Sequence, residues 1–375
     1  MSVEVSPVRS ERERRAFIEL PYRLHATSEQ WVPPLRLERR AFLSPRVNKW
    51  LRHADVQLFL ARRDGRVVGR ISAQVDHAFN RYQGNDWGMF GFLEIEEDQE
   101  ALDALLDAAS GWLTERGRDR MVGPMDFTMN DEVGVLIEGH DRDPYIKQAW
   151  HPPYYQRLCD RAGLNKAVDL WMWELHISDR SSIVSGITEM AARLEPEQGI
   201  RIRRMSRRKL REELDVFAET YNEAWAENWG FVPYGKDDLD TYAGDLQLVF
   251  DANWFMVAEK IDTGESVGVA ITVPDINQVL RRMGGRILPF GWIHFLRRRK
   301  IVDRVRVGFL GVKPDYQHTG VAAAFYIEHF DTAKRTPQRY GEMGWILETN
   351  DAMNRGVEGM GGRMVKRYRV YERIF

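Results

Sequence analysis

The sequence predicts two α/β domains, each a central, mostly antiparallel twisted sheet flanked by helices. Three observations carry this. The chain has 375 residues, more than one hydrophobic core usually organises. Segments of strand and helix period occur twice in the same order. Between the two sets lies residues 178–199, polar at its start and containing Pro196 and Gly199, the composition of a boundary. Domains are therefore expected at 1–178 and 200–375, joined by a linker at 179–199.

The first half opens with a short strand, VEVSPV, and a charged helical stretch over 11–43, interrupted by Pro21, Pro33 and Pro34. Residues 56–62 and 67–75 are β-rich and flank Asp64-Gly65, the strongest short hairpin signal. A third strand is expected at 89–95. Residues 99–116 place Leu102, Leu105, Leu106, Ala109, Trp112 and Leu113 at helical spacing and end at Gly117; a strand follows at 121–127. In the second half the expected order is a strand at 200–205, helices at 208–229 and 237–250, a hairpin of 254–259 with 266–273, a strand at 305–312, a helix at 322–334 and a strand at 345–348.

Hydrophobic residues make up 43% of the chain and charged residues 29%, as in globular domains. The net charge of -2 offers no global field for nucleic acid, so no nucleic-acid partner is expected. Cys159 is the single cysteine, which excludes an intramolecular disulfide and a cysteine-rich metal site, and no metal centre is expected. No stretch approaches the roughly 20 apolar residues of a membrane span, and the first residues, MSVEVSPVRSERERR, lack an apolar signal core; the expectation is a cytoplasmic protein, monomer or homodimer.

The run VRVGFLGVKPDYQHTGVAAAFYIEHFDTAKR carries the chemistry. A strand leads through the loop Gln317, His318, Thr319, Gly320, Val321 into a helix that begins with the small residues Ala322, Ala323 and Ala324. Amides at a helix N-terminus lack intrahelical acceptors and favour an anion. Gly320 removes the side chain that would block a phosphate, and Ala322 keeps the first turn slim.

Val312, Pro314, Gln317, Gly320 and Ala322 stand in the register Val-x-Pro followed by Gln/Arg-x-x-Gly-x-Gly/Ala, which resembles motif A of the GNAT acyltransferases. Downstream, Asn350 ends the run WILETN and is followed by Met353 and Gly361, which resembles the family's motif B. The resemblance implies two GNAT-like domains, acetyl-CoA or a longer acyl-CoA as cofactor, and an N-acyltransferase, most simply an N-acetyltransferase, acting on the amine of a small molecule. It further implies that Leu310, Gly311 and Val312 pair with the pantetheine chain as an added strand, that residues 317–322 hold the diphosphate, and that Asn350 and Asn354 lie beside the cofactor.

Two departures stand out. The position seven residues after Asn350, a tyrosine in many members, is Val357, and residues 305–312 carry no carboxylate base. Tyr368, Tyr371 and Tyr326 are the candidate acids; Glu348, Asp275, His294 and Glu223 the candidate bases. Glu348, Asn350, Tyr368 and Glu223 are taken as the catalytic set. By resemblance, Tyr221, Asn222, Trp225 and Asn228 line the acceptor site, with Asp275 added to them. Without the usual proton-transfer groups, the alternative is an inactive acyl-CoA-binding sensor or interaction protein. In the first half, Glu94, Glu96, Glu97, Asp98 and Glu100 crowd the equivalent turn and would repel a diphosphate, so that half is expected to lack a cofactor site. The long connection 274–304 interleaves apolar residues with arginines and is expected to be a lid or an amphipathic surface element.

Overall fold

The computed structural model describes residues 2–226, 228–233 and 250–375. The helix expected at 237–250 falls, but for its last residue, outside them. The chain forms two compact units, neither of them one continuous half. Unit 1 comprises Met1–Leu170, Leu280–Trp292 and Lys366–Phe375; unit 2 comprises Trp171–Val279 and Ile293–Val365.

Unit 1 begins with β1 (Val3–Pro7), α1 (Glu11–Leu24), α2 (Arg36–Phe42), β2 (Ala54–Arg63) and β3 (Arg66–Asp76). Helix α1 starts where Ser10 and Glu13 form a reciprocal capping box. The β2–β3 hairpin turns at Asp64 and Gly65, both with positive φ, 53° and 77°, as the two-residue turn requires. Next come α3 (His77–Gln83), β4 (Trp87–Ile95), α4 (Gln99–Thr114), β5 (Arg120–Gly123), β6 (Val135–Glu138), α5 (Tyr154–Arg161) and β7 (Asn165–His176). The sheet order is β1-β2-β3-β4-β5 and then the last strand of the chain, β13 (Arg363–Ile374), which also pairs with β6. Helix α4 buries Leu102, Leu105, Leu106, Ala109 and Leu113 in the unit's core, each buried leucine stabilising by about 2 kcal/mol. The strand expected at 121–127 stops at Gly123 because Pro124 has no N–H with which to continue a ladder.

Unit 2 takes up β7 at Trp171 and continues with α6 (Ser185–Gln198), β8 (Ile200–Arg204), α7 (Leu210–Ala224), β9 (Phe255–Lys260), β10 (Ser266–Pro274) and α8 (Asn277–Met283). After α9 (Gly291–Leu296) and α10 (Arg298–Ile301) come β11 (Arg304–Val312), α11 (Val321–Arg335), β12 (Tyr340–Leu347) and α12 (Asp351–Gly359). The strands run in the order β7-β12-β11-β10-β9-β8. Residues 179–199, expected as a linker, instead contain α6. Its buried Leu194 and its partly buried Ile187 and Ala191 recur at helical spacing and join the core of unit 2, and the helix packs on α11.

Candidate functional site

Strands β11 and β12 run parallel, paired from Arg304 opposite Tyr340 to Val307 opposite Met343. Beyond that rung both continue, to Val312 and Leu347, without pairing to each other. The other edge of β11 remains bonded to β10 up to Val312, with one break at Ile271/Thr272 where Gly308 is the extra residue of a bulge. Such a bulge turns the strand locally. Among the described residues, 308–312 thus keep one backbone edge open, the geometry to which an extended chain can add as a strand. Leu310, Gly311 and Val312 lie in this stretch.

Gly311 has a second reason to be glycine. A Cβ there would lie 2.0 Å from the Trp225 ring, which stacks on Tyr221 with centroids 4.8 Å apart. Trp225 therefore packs on β11, and Tyr221 is buried among Phe217, Phe231 and Phe309. These two, expected at the acceptor, serve the wall behind the open edge. Asn222, in the last turn of α7, and Asn228, four residues past its end, are half-buried.

After β11 the chain makes a short 3-10 turn, Pro314–Tyr316. The Gln317 and Thr319 amides are used inside it, donating to Pro314 O and Tyr316 O, and the Thr319 hydroxyl also donates to Tyr316 O. Gly320, with φ 95°, is the N-cap of α11 and carries no capping side chain; its carbonyl accepts the first helical bond, from Ala324. Among the described residues, the amides of His318, Gly320, Val321, Ala322 and Ala323 have no acceptor. Five unclaimed donors thus surround the start of a 15-residue helix. His318 and Gln317 are exposed and Ala322 half-buried. A Cβ on Gly320 would come within 3.0 Å of Met190 O on α6, so the position admits little else. Just before the turn, buried Lys313 is gripped by Glu219 at 3.1 Å and Glu223 at 3.0 Å. Burial would lower the ammonium's pKa, but the hydrogen bonds to Glu223 and Glu219 hold it above its ordinary range.

The remaining sequence candidates have definite places. Glu223 is the exposed partner of Lys313. Asn350 is the N-cap of α12, its Oδ1 accepting from Met353 N. Asn354 is buried with both ends of its amide committed, Oδ1 to Trp173 Nε1 and Nδ2 to Leu347 O. Asp275 is fully buried and pairs with Arg304 at 3.0 Å. Tyr368 belongs to unit 1 and donates its hydroxyl to Ala149 O. Glu348 is half-buried just past the free end of β12. Val357 is fully buried, and the neighbouring Gly356 faces the Tyr326 hydroxyl, 3.3 Å from where its Cβ would be. Burial pushes that phenol up to about 12.

Sequence reasoning missed the charges at the apex of the fork. Arg306 and Glu342 oppose each other across the ladder and are both buried. The Arg306 guanidinium lies over the Trp345 ring at 4.4 Å and donates to Gly344 O. The available signal was an arginine between Val305 and Val307, in a stretch, 305–312, otherwise without a charged residue.

Unit 1 has the same elements with the openings filled. β4 pairs with β5 only from Trp87 to Met89. Beyond it, Met125 N donates to Phe90 O and Phe92 N to Asp126 Oδ1, and a Cβ on Gly91 would lie 1.9 Å from Met125 O. At the start of α4, Asp98 accepts from Ala101 N and is clasped by Arg63. A buried polar cluster lies near this fork. Burial would raise the Glu94 carboxyl, but His25 at 2.7 Å and Arg70 hold it down at about 2. Asp126 is pushed up to about 8 by burial and by Glu132, against the nearby Arg39. Burial lowers His151 to about 4. Cys159 is buried in this core and its thiol pKa is raised by burial.

These forks, with a turn and a helix following each, define the class of protein. The chain superposes on the tandem GNAT protein from the clavulanic acid biosynthesis pathway with a TM-score of 0.60 and 11% identity, over 100% of this chain and 98% of that one. For a GCN5-related N-acetyltransferase from Sphaerobacter thermophilus the TM-score is 0.54 at 12% identity, over 99% and 95%. This is a two-domain protein of the GNAT fold. No protein-family model matches the chain. It is 35% identical to a bacterial ceramide synthase from Caulobacter vibrioides, over 99% of this chain and 97% of that one. Identity to protein YghO of Escherichia coli is 32%, over 96% and 92%. The chain belongs to the family of these two proteins.

Proposed function

We propose that the protein is an acyl-CoA-dependent N-acyltransferase whose acceptor is the amine of a long-chain amino alcohol, and that unit 2 alone holds the acyl-CoA. The observation that carries this is the continuity of an open β11 edge with five unclaimed amides at the start of α11. The residues suit the ligand: backbone donors for a diphosphate, no acidic side chain on residues 316–323, and an extended edge for the pantetheine amides. The choice of acceptor and of a longer acyl chain draws support from the relative named a ceramide synthase.

The thioester supplies an already activated acyl group, so the protein's tasks are alignment, oxyanion stabilisation and proton transfer. Amides on the open edge of β11 receive the carbonyl oxygen as the amine nitrogen adds to the carbonyl carbon. The C–N bond forms, the C–S bond breaks, the amine loses a proton and the thiolate gains one. Glu348, beside the fork, takes the amine proton. Tyr326, whose hydroxyl reaches the helix turn that holds Val357, is the acid in place of the tyrosine found there in other members.

The test is thiol release from palmitoyl-CoA and acetyl-CoA with sphinganine or a small polyamine as acceptor, and mass analysis of the amide. The expected result is release only with palmitoyl-CoA and sphinganine together, and a loss on the order of 100-fold in kcat for Glu348→Gln. Tight acyl-CoA binding with no release for any amine would replace this reading with a non-catalytic acyl-CoA sensor.

A further inference from the structure

The connection between β10 and β11 contains a segment that neither unit's core explains. Its base is fixed on unit 1: Arg36 N donates to Gly285 O, Gly285 sits against Tyr22 and Pro34, and Arg281 bonds Asp143 at 2.7 Å and Gln30 O at 3.1 Å. Its tip is tied to itself. Trp292 donates from its amide to Ile287 O and from its indole to Pro289 O, and Gly291 is buried so tightly that a Cβ would meet Arg286 O at 2.0 Å. A turn bonded in this way presents its apolar side chains outward. Leu288 is 73% exposed, Phe290 70% and Trp292 46%. Leu296, further along α9, is exposed as well.

Single exposed apolar residues are ordinary, whereas a cluster on one ordered projection marks an interaction surface. The charge pattern selects the partner. Between Ile276 and Val302 there are seven bases, Arg281, Arg282, Arg286, Arg297, Arg298, Arg299 and Lys300, and no Asp or Glu, in a chain whose net charge is -2. Arg282 and Arg286, which belong to unit 1 with the tip, are exposed. Tryptophan and phenylalanine at the level of the headgroups, with arginine and lysine beside them, match an anionic bilayer interface. No helix among the described residues is long and apolar enough to cross a membrane, so contact here is with the surface.

We propose that this tip docks the protein on an anionic phospholipid surface, with Leu288, Phe290 and Trp292 inserted among the acyl chains and the flanking bases on the headgroups. The proposal rests on the reading of a lipid-like acceptor, since a long-chain amino alcohol resides in a membrane and a docked enzyme meets it there.

The experiment is flotation of the full chain with vesicles of phosphatidylcholine, with and without phosphatidylglycerol, at low and high salt. The parent protein is expected to float with phosphatidylglycerol vesicles at low salt and to be released at high salt. Leu288→Ser/Phe290→Ser/Trp292→Ser should lower partitioning by at least about tenfold, and Arg282→Gln/Arg286→Gln by about 30-fold, both with the parent's melting temperature and coenzyme A affinity. No binding by the parent, or binding by both variants equal to the parent's, overturns the proposal. So does self-association by sedimentation that the serine variant abolishes while vesicle binding is absent, which would make a second copy of the chain the occupant. Binding is read without turnover, so an inactive protein that floats would leave docking standing and sink only the acceptor assignment.

Discussion

The N-termini of α4 and α11 follow equivalent forks and have opposite fates. At α4 the side chain of Asp98 already serves the first-turn amides, Arg63 neutralises it, and 125–126 fills the open strand edge. At α11 the cap is a glycine with no side chain, and five amides have no acceptor among the described residues. The difference teaches that the fold fixes where donors gather, while one or two local residues decide whether the protein's own side chains satisfy them.

The sharpest way to break the comparison is to make α11 resemble α4. Ala322→Glu places a carboxylate in the first turn, where it suits the helix dipole but repels a diphosphate. Coenzyme A affinity by calorimetry is expected to fall by at least about 100-fold with the melting temperature unchanged; unchanged affinity would remove the site from this turn. Gly311→Ala comes next. Its Cβ must displace the Trp225 ring, and the expected cost is about 2 kcal/mol in denaturant unfolding, an amount that Gly311→Ala combined with Trp225→Leu should partly recover.

The units should also respond differently to pH. His151 in unit 1 and His329 in unit 2 are each lowered to about 4 by burial. Their neutral forms favour the fold, so this stability is present above about 6.5 and is lost as pH falls toward 4 in both units. Asp126 has the opposite sign. Raised to about 8 by burial and Glu132, with Arg39 and Arg70 acting against them, it contributes stability that is complete below about 4 and lost as pH rises through 8. Hydrogen exchange resolved by unit should show unit 1 loosening between about pH 6.5 and 8, and Asp126→Asn should flatten that slope. The smallest effect is expected from Asp98→Ala: about 1 kcal/mol from a lost cap, with coenzyme A affinity untouched, since α4 holds no ligand in this reading.

Much of this was legible locally. Asp64-Gly65 announced its hairpin, the leucines of α4 their face, and Gln317 to Ala322 the turn that opens α11, because turn geometry and helix ends depend on neighbours in sequence. The helix over Ser185–Gln198 was legible too, in Ile187, Met190, Ala191 and Leu194 at helical spacing, but Pro196 and Gly199 drew attention to a linker; Pro196 sits in the last turn, where Gly199 ends the helix. The strand Arg363–Ile374 carried its signal in buried Tyr368 and Val370 alternating with Arg367 and Arg369, obscured by its basic residues.

The sequence by itself determined the two-domain α/β class and the glycine-capped turn at the start of α11, since each rests on spacing along the chain. Only the tertiary structure decided that Asn354, Asp275 and Tyr368 are committed to structural partners, that Trp225 fills the space above Gly311, and that Arg306 and Glu342 stand opposite each other in the ladder at the fork. Those outcomes depend on which distant backbone or side chain arrives beside each group, and burial then penalises a polar atom that finds no partner there.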